Sequence, residues 1–180
     1  FSAISFHESK NITSGEGGAL IINDKKYIRK ASYIINKGTN REDFNNKLIK
    51  KYTWVSVGSS YVLSELNAAL LLAQLKQSKY ITLKRKQIWN RYYSSFKHLE
   101  KNKFLTVQKI NKKGVNNAHI FFILLKSKNQ RDNFLKYMKK KNINCMFHYV
   151  PLDSSPMGKK IINKKFNCRN TKIGFEKLVR

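Results

Sequence analysis

The run Ser5-Phe6-His7-Glu8-Ser9-Lys10-Asn11, followed by Gly15-Glu16-Gly17-Gly18-Ala19-Leu20, constrains the fold more than any other stretch. Residues 3–6 are apolar enough for a short strand, and residues 19–23 for a second. Gly15, Gly17 and Gly18 permit positive φ in the loop between them, so the chain can turn back on itself around Lys10. A lysine held between two strands can be partly desolvated, and desolvation lowers an ammonium's pKa towards that of a usable amine. Such an amine can form a Schiff base with an aldehyde cofactor. The chain is full of lysines, so it is the context that singles this one out.

The rest of the chain reads in order. Asn23-Asp24 is a turn into a helix over 25–35, carried by Tyr27, Ile28, Ala31, Ile34 and Ile35, with Gly38 as its C′ glycine. Residues 39–51 read as a long polar loop. Ser64 is an N-cap with Glu65 in the first turn. The helical pattern that follows would be about 50 Å long if continuous to His98. Its basic second half (Lys84, Arg85, Lys86, Arg91) reads as a solvated face. Strands and helices then alternate: strands at 104–107, 119–125 and 143–150, the last stopped by Pro151, and helices at 129–141 and 171–180, with a turn at 153–157.

The formal net charge of +27 raises nucleic acid as a partner. However, the chain is rich in Lys, Asn and Ile together, as an AT-rich genome would make it. Tracts such as Asn111-Lys112-Lys113 fall where loops are expected. No RNP1-like interleaving of aromatic and basic residues is present, so no specific nucleic-acid partner is expected. Cys145 and Cys168 form no CxxC pair, and His7, His98, His119 and His148 show no HExxH spacing, so no metal is expected. No apolar run is long enough to span a bilayer. With no signal peptide recognisable, the expected location is the cytoplasm.

Several ordered segments carry a resemblance. Ser5-Phe6-His7-x-x-Lys10-Asn11 with Glu16-Gly17-Gly18 is similar to the cofactor-lysine motif of the DegT/DnrJ/EryC1/StrS sugar aminotransferases, which depend on pyridoxal phosphate. Lys37-Gly38-Thr39-Asn40-Arg41, Lys51-Tyr52-Thr53-Trp54-Val55 running into Gly58-Ser59-Ser60-Tyr61, and Leu66-Asn67-Ala68-Ala69 follow in the family's order. Asn117-Ala118-His119 and Phe147-His148-Tyr149-x-Pro151-Leu152 also resemble it.

The resemblance implies an α/β fold: a fragment of a fold-type-I pyridoxal-phosphate transferase, comprising the end of the large domain and most of the small C-terminal α/β domain. Residues 1–62 would belong to the large cofactor-binding domain, 63–98 to a long linking helix, and 99–180 to the truncated small domain. Lys10 would hold pyridoxal 5′-phosphate covalently and move the proton in catalysis, and Ser5 would bind the cofactor phosphate. Ser60 would reach the neighbouring subunit's site in a homodimer. His148 and His119 are candidates for facing the nucleotide sugar. The implied reaction is amino transfer, with glutamate as donor, to a nucleotide-linked 4-keto-6-deoxy sugar. The implied conversion is dTDP-4-dehydro-6-deoxyglucose to dTDP-4-amino-4,6-dideoxygalactose, in surface-polysaccharide synthesis of the enterobacterial common antigen type.

The chain also departs from the pattern. Many members carry Asn where Ser60 stands and Arg where Val62 stands. Family members have roughly as many residues again before the lysine motif, including the aspartate that pairs with the ring nitrogen. The chain alone is therefore expected to be inactive. Two other readings stay open: an inactive or split-gene remnant of such a transaminase, and a basic nucleic-acid-binding domain.

Overall fold

A computed structural model describes residues 1–111, 113–162 and 168–180, so Lys112 of the basic tract lies outside the described residues. The chain divides into two units, Phe1–Ile81 and Thr82–Arg180.

In the first unit, β1 (Ser2–Ser5) pairs antiparallel with β2 (Gly18–Ile21), with Ser5 opposite Gly18. Asp24 caps a 3₁₀ turn (Lys25–Tyr27) by accepting from the Lys26 N–H at 3.1 Å, and α1 (Ile28–Ile35) follows. The expected C′ position of Gly38 is taken by Lys37, at φ 62, and Gly38 comes one residue later at φ 76. The Gly38 N–H donates to the Tyr33 carbonyl at 2.7 Å, the outer bond of a Schellman-type ending. The loop expected at 39–51 contains a short helix, α2 (Arg41–Asn45). Its acidic residues explain it: Asp43 accepts from Arg29 and Tyr33 of α1, and Glu42 from Ser32. Among the described residues of this unit only Ser14 and Gly38 are buried.

Ser64 caps α3 (Glu65–Lys76), accepting from the Asn67 N–H at 3.3 Å. The long helical pattern is not one helix. Gln77 closes α3 by donating to the Ala73 and Gln74 carbonyls, and α4 (Ser78–Lys101) begins at the next residue.

The second unit is built on an antiparallel sheet in the order β3 (Leu105–Val107), β4 (Ile123–Leu125), β5 (Leu178–Val179). Leu105, Val107, Ile123, Leu125 and Val179 form its core. Tyr93, Phe96 and Leu99 of α4 and Phe134 and Leu135 of α5 (Lys128–Lys140) pack against it. Each such buried aliphatic side chain contributes about 1.5–3 kcal/mol. Arg131 of α5 is buried beneath two rings, 5.3 Å from Phe147 and 5.6 Å from Phe175. The turn expected at 153–157 is a 3₁₀ turn (Leu152–Ser154) leading into α6 (Pro156–Ile161).

Three expected elements differ. The strand expected at 119–125 is laddered only at Ile123–Leu125. The carbonyls before it are taken by α4: Arg85 donates to those of Ala118 and His119 at 3.2 and 2.8 Å, and Trp89 to that of Ile120 at 3.1 Å. Arg85 is thus no part of a solvated face. The strand expected at 143–150 makes one reciprocal backbone pair, Met146 with Arg180, at 3.0 and 2.9 Å. The final helix, α7 (Arg169–Lys177), stops before Leu178. Leu178 and Val179 pair with Leu124 and Ile123 instead, because burying Val179 in the sheet outweighs one more helical turn.

Glu100, near the end of α4, accepts from the Val107 N–H at 3.0 Å and pairs with Lys97. These bonds, Lys97's first, hold its carboxyl below the usual range. A depressed folded value stabilises above the unfolded pKa, about 4.3, and that contribution disappears as pH falls through the folded value. Glu100→Gln should therefore lower the unfolding free energy from denaturant titration at neutral pH, by on the order of 1 kcal/mol or less. The difference from wild type should vanish below the folded value. A gap that persists in acid would refute the linkage.

Candidate functional site

The pairing of β1 with β2 continues beyond the ladder: the Phe6 N–H donates to the Gly17 carbonyl and the Ser14 N–H to the Phe6 carbonyl, both at 2.9 Å. Ser14, fully buried, also donates its hydroxyl to the Glu16 carbonyl at 2.9 Å. A Cβ at Gly17 would stand 2.5 Å from Ser14 Oγ, so this corner admits only glycine without rearrangement. The frame fixes residues 7–10 as a turn, closed by the Lys10 N–H donating to the His7 carbonyl at 2.9 Å.

Lys10 is exposed, and its side chain makes no hydrogen bond or ion pair among the described residues. The burial expected between two strands is not supplied here, because Lys10 lies in the connecting turn and not on a strand face. Ser5 ends β1, exposed, and its hydroxyl accepts from the His7 N–H at 3.4 Å. Ser5 and Lys10 are therefore linked through His7. Ser60 is also exposed and is held by other contacts, bridging to Asn36. Glu16 is an exposed loop carboxylate facing His7.

In the second unit, His119 and His148 line one cavity of about 420 Å³ together with Gln108, Asn116 and Asn117, over Phe122. Both histidines are half-buried. Desolvation first, and then the Arg180 charge, push the His148 imidazole below its usual range, which favours its neutral form. Gln108 was not singled out from sequence, yet its side-chain oxygen is buried with no hydrogen-bond partner. Arg85 is a second residue missed. Its two bonds help hold Ala118 at φ 53 and so place His119. No periodicity or motif marks either residue, because each acts across a long sequence separation. Among the described residues no group of three or more His, Cys, Asp or Glu is placed to hold a metal ion, and no helix is long and apolar enough to cross a membrane.

Residues 1–179 match the family model described as the DegT/DnrJ/EryC1/StrS aminotransferase family. The UDP-4-amino-4,6-dideoxy-N-acetyl-beta-L-altrosamine transaminase of Helicobacter pylori is 29% identical over 164 residues, taking in 90% of this chain and 42% of that one. The structure of Helicobacter pylori PseC, described as an aminotransferase involved in the biosynthesis of pseudoaminic acid, matches with a TM-score of 0.85 at 25% identity. That match covers 99% of this chain and 46% of PseC. Spr1654 of Streptococcus pneumoniae, solved in a PLP form, shares the fold at a TM-score of 0.77 and 22% identity, over 98% of this chain and 45% of its own. The chain spans less than half the length of each of these relatives.

Proposed function

Because the chain belongs to the DegT/DnrJ/EryC1/StrS aminotransferase family, we propose that it is the part of a pyridoxal-phosphate-dependent sugar-nucleotide transaminase that carries the cofactor lysine, Lys10. One observation carries the reading: over a family match spanning nearly the whole chain, Lys10 sits on a hydrogen-bonded turn with its side chain unpaired. The donor set fits the cofactor, with a primary amine for its aldehyde and the Ser5 hydroxyl at the end of β1 for its phosphate. Ser60 would add a phosphate contact from the other subunit of a homodimer.

When bound, pyridoxal phosphate supplies an aldehyde and an electron-withdrawing ring. Lys10 would hold the cofactor through its amine and, as a free amine, would move a proton from the donor's Cα. His119 and His148 face the sugar nucleotide from the second unit's cavity, with neutral His148 able to donate or accept. Residues 1–62 act as the end of the large domain, 63–98 as the link and 99–180 as the small domain. The location is the cytoplasm, where nucleotide sugars are made.

The substrate proposed is dTDP-4-dehydro-6-deoxyglucose, with glutamate as donor, in surface-polysaccharide synthesis. The test is a chimera in which the part of the Helicobacter pylori relative outside the matched region is joined to this chain. Incubated with glutamate and the keto sugar, it should yield an amino sugar one nitrogen richer by mass spectrometry. Turnover of a UDP-linked sugar alone would replace the dTDP assignment. No transfer to any keto sugar, in a folded chimera that binds cofactor, would remove the reading.

A further inference from the structure

The turn that presents Lys10 is organised by the ring of His7. Inside the turn, the Ser9 backbone N–H lies 3.1 Å from His7 Nδ1, and the Ser9 hydroxyl 2.9 Å from the same nitrogen. On the other side of the ring, Nε2 stands 3.4 Å from Glu16 Oε1. A nitrogen that faces a backbone N–H must offer a lone pair, so Nδ1 is the acceptor. A neutral imidazole then carries its proton on Nε2, the nitrogen facing the carboxylate. The other tautomer would strand the Ser9 N–H and aim a lone pair at Glu16. Both sides of the ring therefore demand the same form. Accepting from the N–H two residues on is what Asp and Asn side chains do in turns, and here an imidazole does it.

We propose that His7 is the positioning residue for Lys10: its Nε2–H form holds the 7–10 turn that offers the lysine amine to the cofactor. The proposal rests on the reading of Lys10 given above. Glu16 is the acidic group facing the ring. Glu8 and Lys10 flank it along the turn and make no ion pair with it, and Asn67 of α3 donates to the Glu16 carbonyl at 3.2 Å without adding charge. The hold on Lys10 thus runs from Glu16 through the His7 ring to the Ser9 N–H.

Two measurements test this. In the chain with ¹⁵N-labelled histidine, NMR at about pH 8 should show His7 Nδ1 unprotonated and Nε2 protonated. In the chimera described above, pyridoxal phosphate trapped on Lys10 by borohydride should be mapped by mass spectrometry for wild type, His7→Phe and His7→Asn. His7→Phe removes the acceptor and should lower the initial trapping rate about five- to tenfold. His7→Asn restores an acceptor for the Ser9 N–H and should stay within about twofold of wild type. An Nδ1–H tautomer, a Phe variant equal to wild type, or an Asn variant as slow as the Phe variant would each overturn the proposal. Should Lys10 of wild type trap no cofactor, the functional reading fails instead, and the tautomer alone decides whether His7 organises the turn.

Discussion

Lys10→Ala is expected to abolish both the trapped cofactor adduct and amino transfer in the chimera, and Lys10→Arg to do the same. Solvated lysines titrate near 10.4, so at neutral pH nearly all are protonated and poor nucleophiles. Lys10 is exposed among the described residues, so its own unit does not set it apart by burial. What sets it apart is placement. It stands at the end of a turn closed by the His7 carbonyl, the same residue whose N–H donates to the Ser5 hydroxyl, and it makes no ion pair among the described residues. A cofactor anchored by its phosphate next to this amine sees it at a very high effective concentration. An arginine cannot substitute, because a guanidinium stays protonated and forms no imine. Peptide mapping should find the pyridoxyl group on residues 7–11. An adduct on Lys37 or Lys51, or transfer that survives Lys10→Ala, would remove the central assignment.

Gly38→Ala is expected to be the most damaging single substitution in the first unit, costing several kcal/mol, on the order of 3–5. Gly38 has φ 76 and is buried, and a Cβ built on it would stand 1.8 Å from the Ser56 carbonyl oxygen. That oxygen belongs to backbone, so the contact is relieved only by moving the chain. The same chain is held there by the Val55 and Ser56 N–H groups, which donate to the Gly38 carbonyl at 2.8 and 2.9 Å. Gly58 packs into the same crossing, with its Cβ position 2.2 Å from Gly38 N. Loss of this crossing would release Ser60, which is tied to Asn36 two residues before Gly38. Gly15→Ala is the control. Gly15 also has positive φ, at 79, but nothing lies within 4 Å of its Cβ position. It should cost about 1–2 kcal/mol, the backbone strain alone. Amide exchange at Val55 and Ser56 should accelerate strongly in Gly38→Ala and little in Gly15→Ala. Equal effects would show that the crossing is not tight.

The strand–loop–strand around Lys10, the Ser64 cap and the helix of α5 were legible in sequence, because each rests on local chemistry. Glycines permit the turn, a hydroxyl caps the next helix, and apolar residues recur at helical spacing. The family was legible for the same reason, since its motifs are short contiguous runs in a fixed order, the first of them around Lys10. Longer-range competition was not legible. A periodic run reads as one helix until Gln77 closes α3 and α4 starts afresh.

By itself, then, the sequence determined where Lys10 stands, which turn carries it and which family the chain belongs to. Tertiary structure decided how backbone groups far apart in sequence are shared out. Arg85 and Trp89 take the carbonyls of Ala118, His119 and Ile120 and so shorten β4, and Val179 leaves the helical pattern to be buried in a sheet. It also placed His119 and His148 in one cavity with Gln108, a residue with no local signal. The physical reason is that local propensities are worth tenths of a kcal/mol per residue. A buried side chain, or a backbone group left unpaired, is worth one to several, and its partner can lie anywhere along the chain.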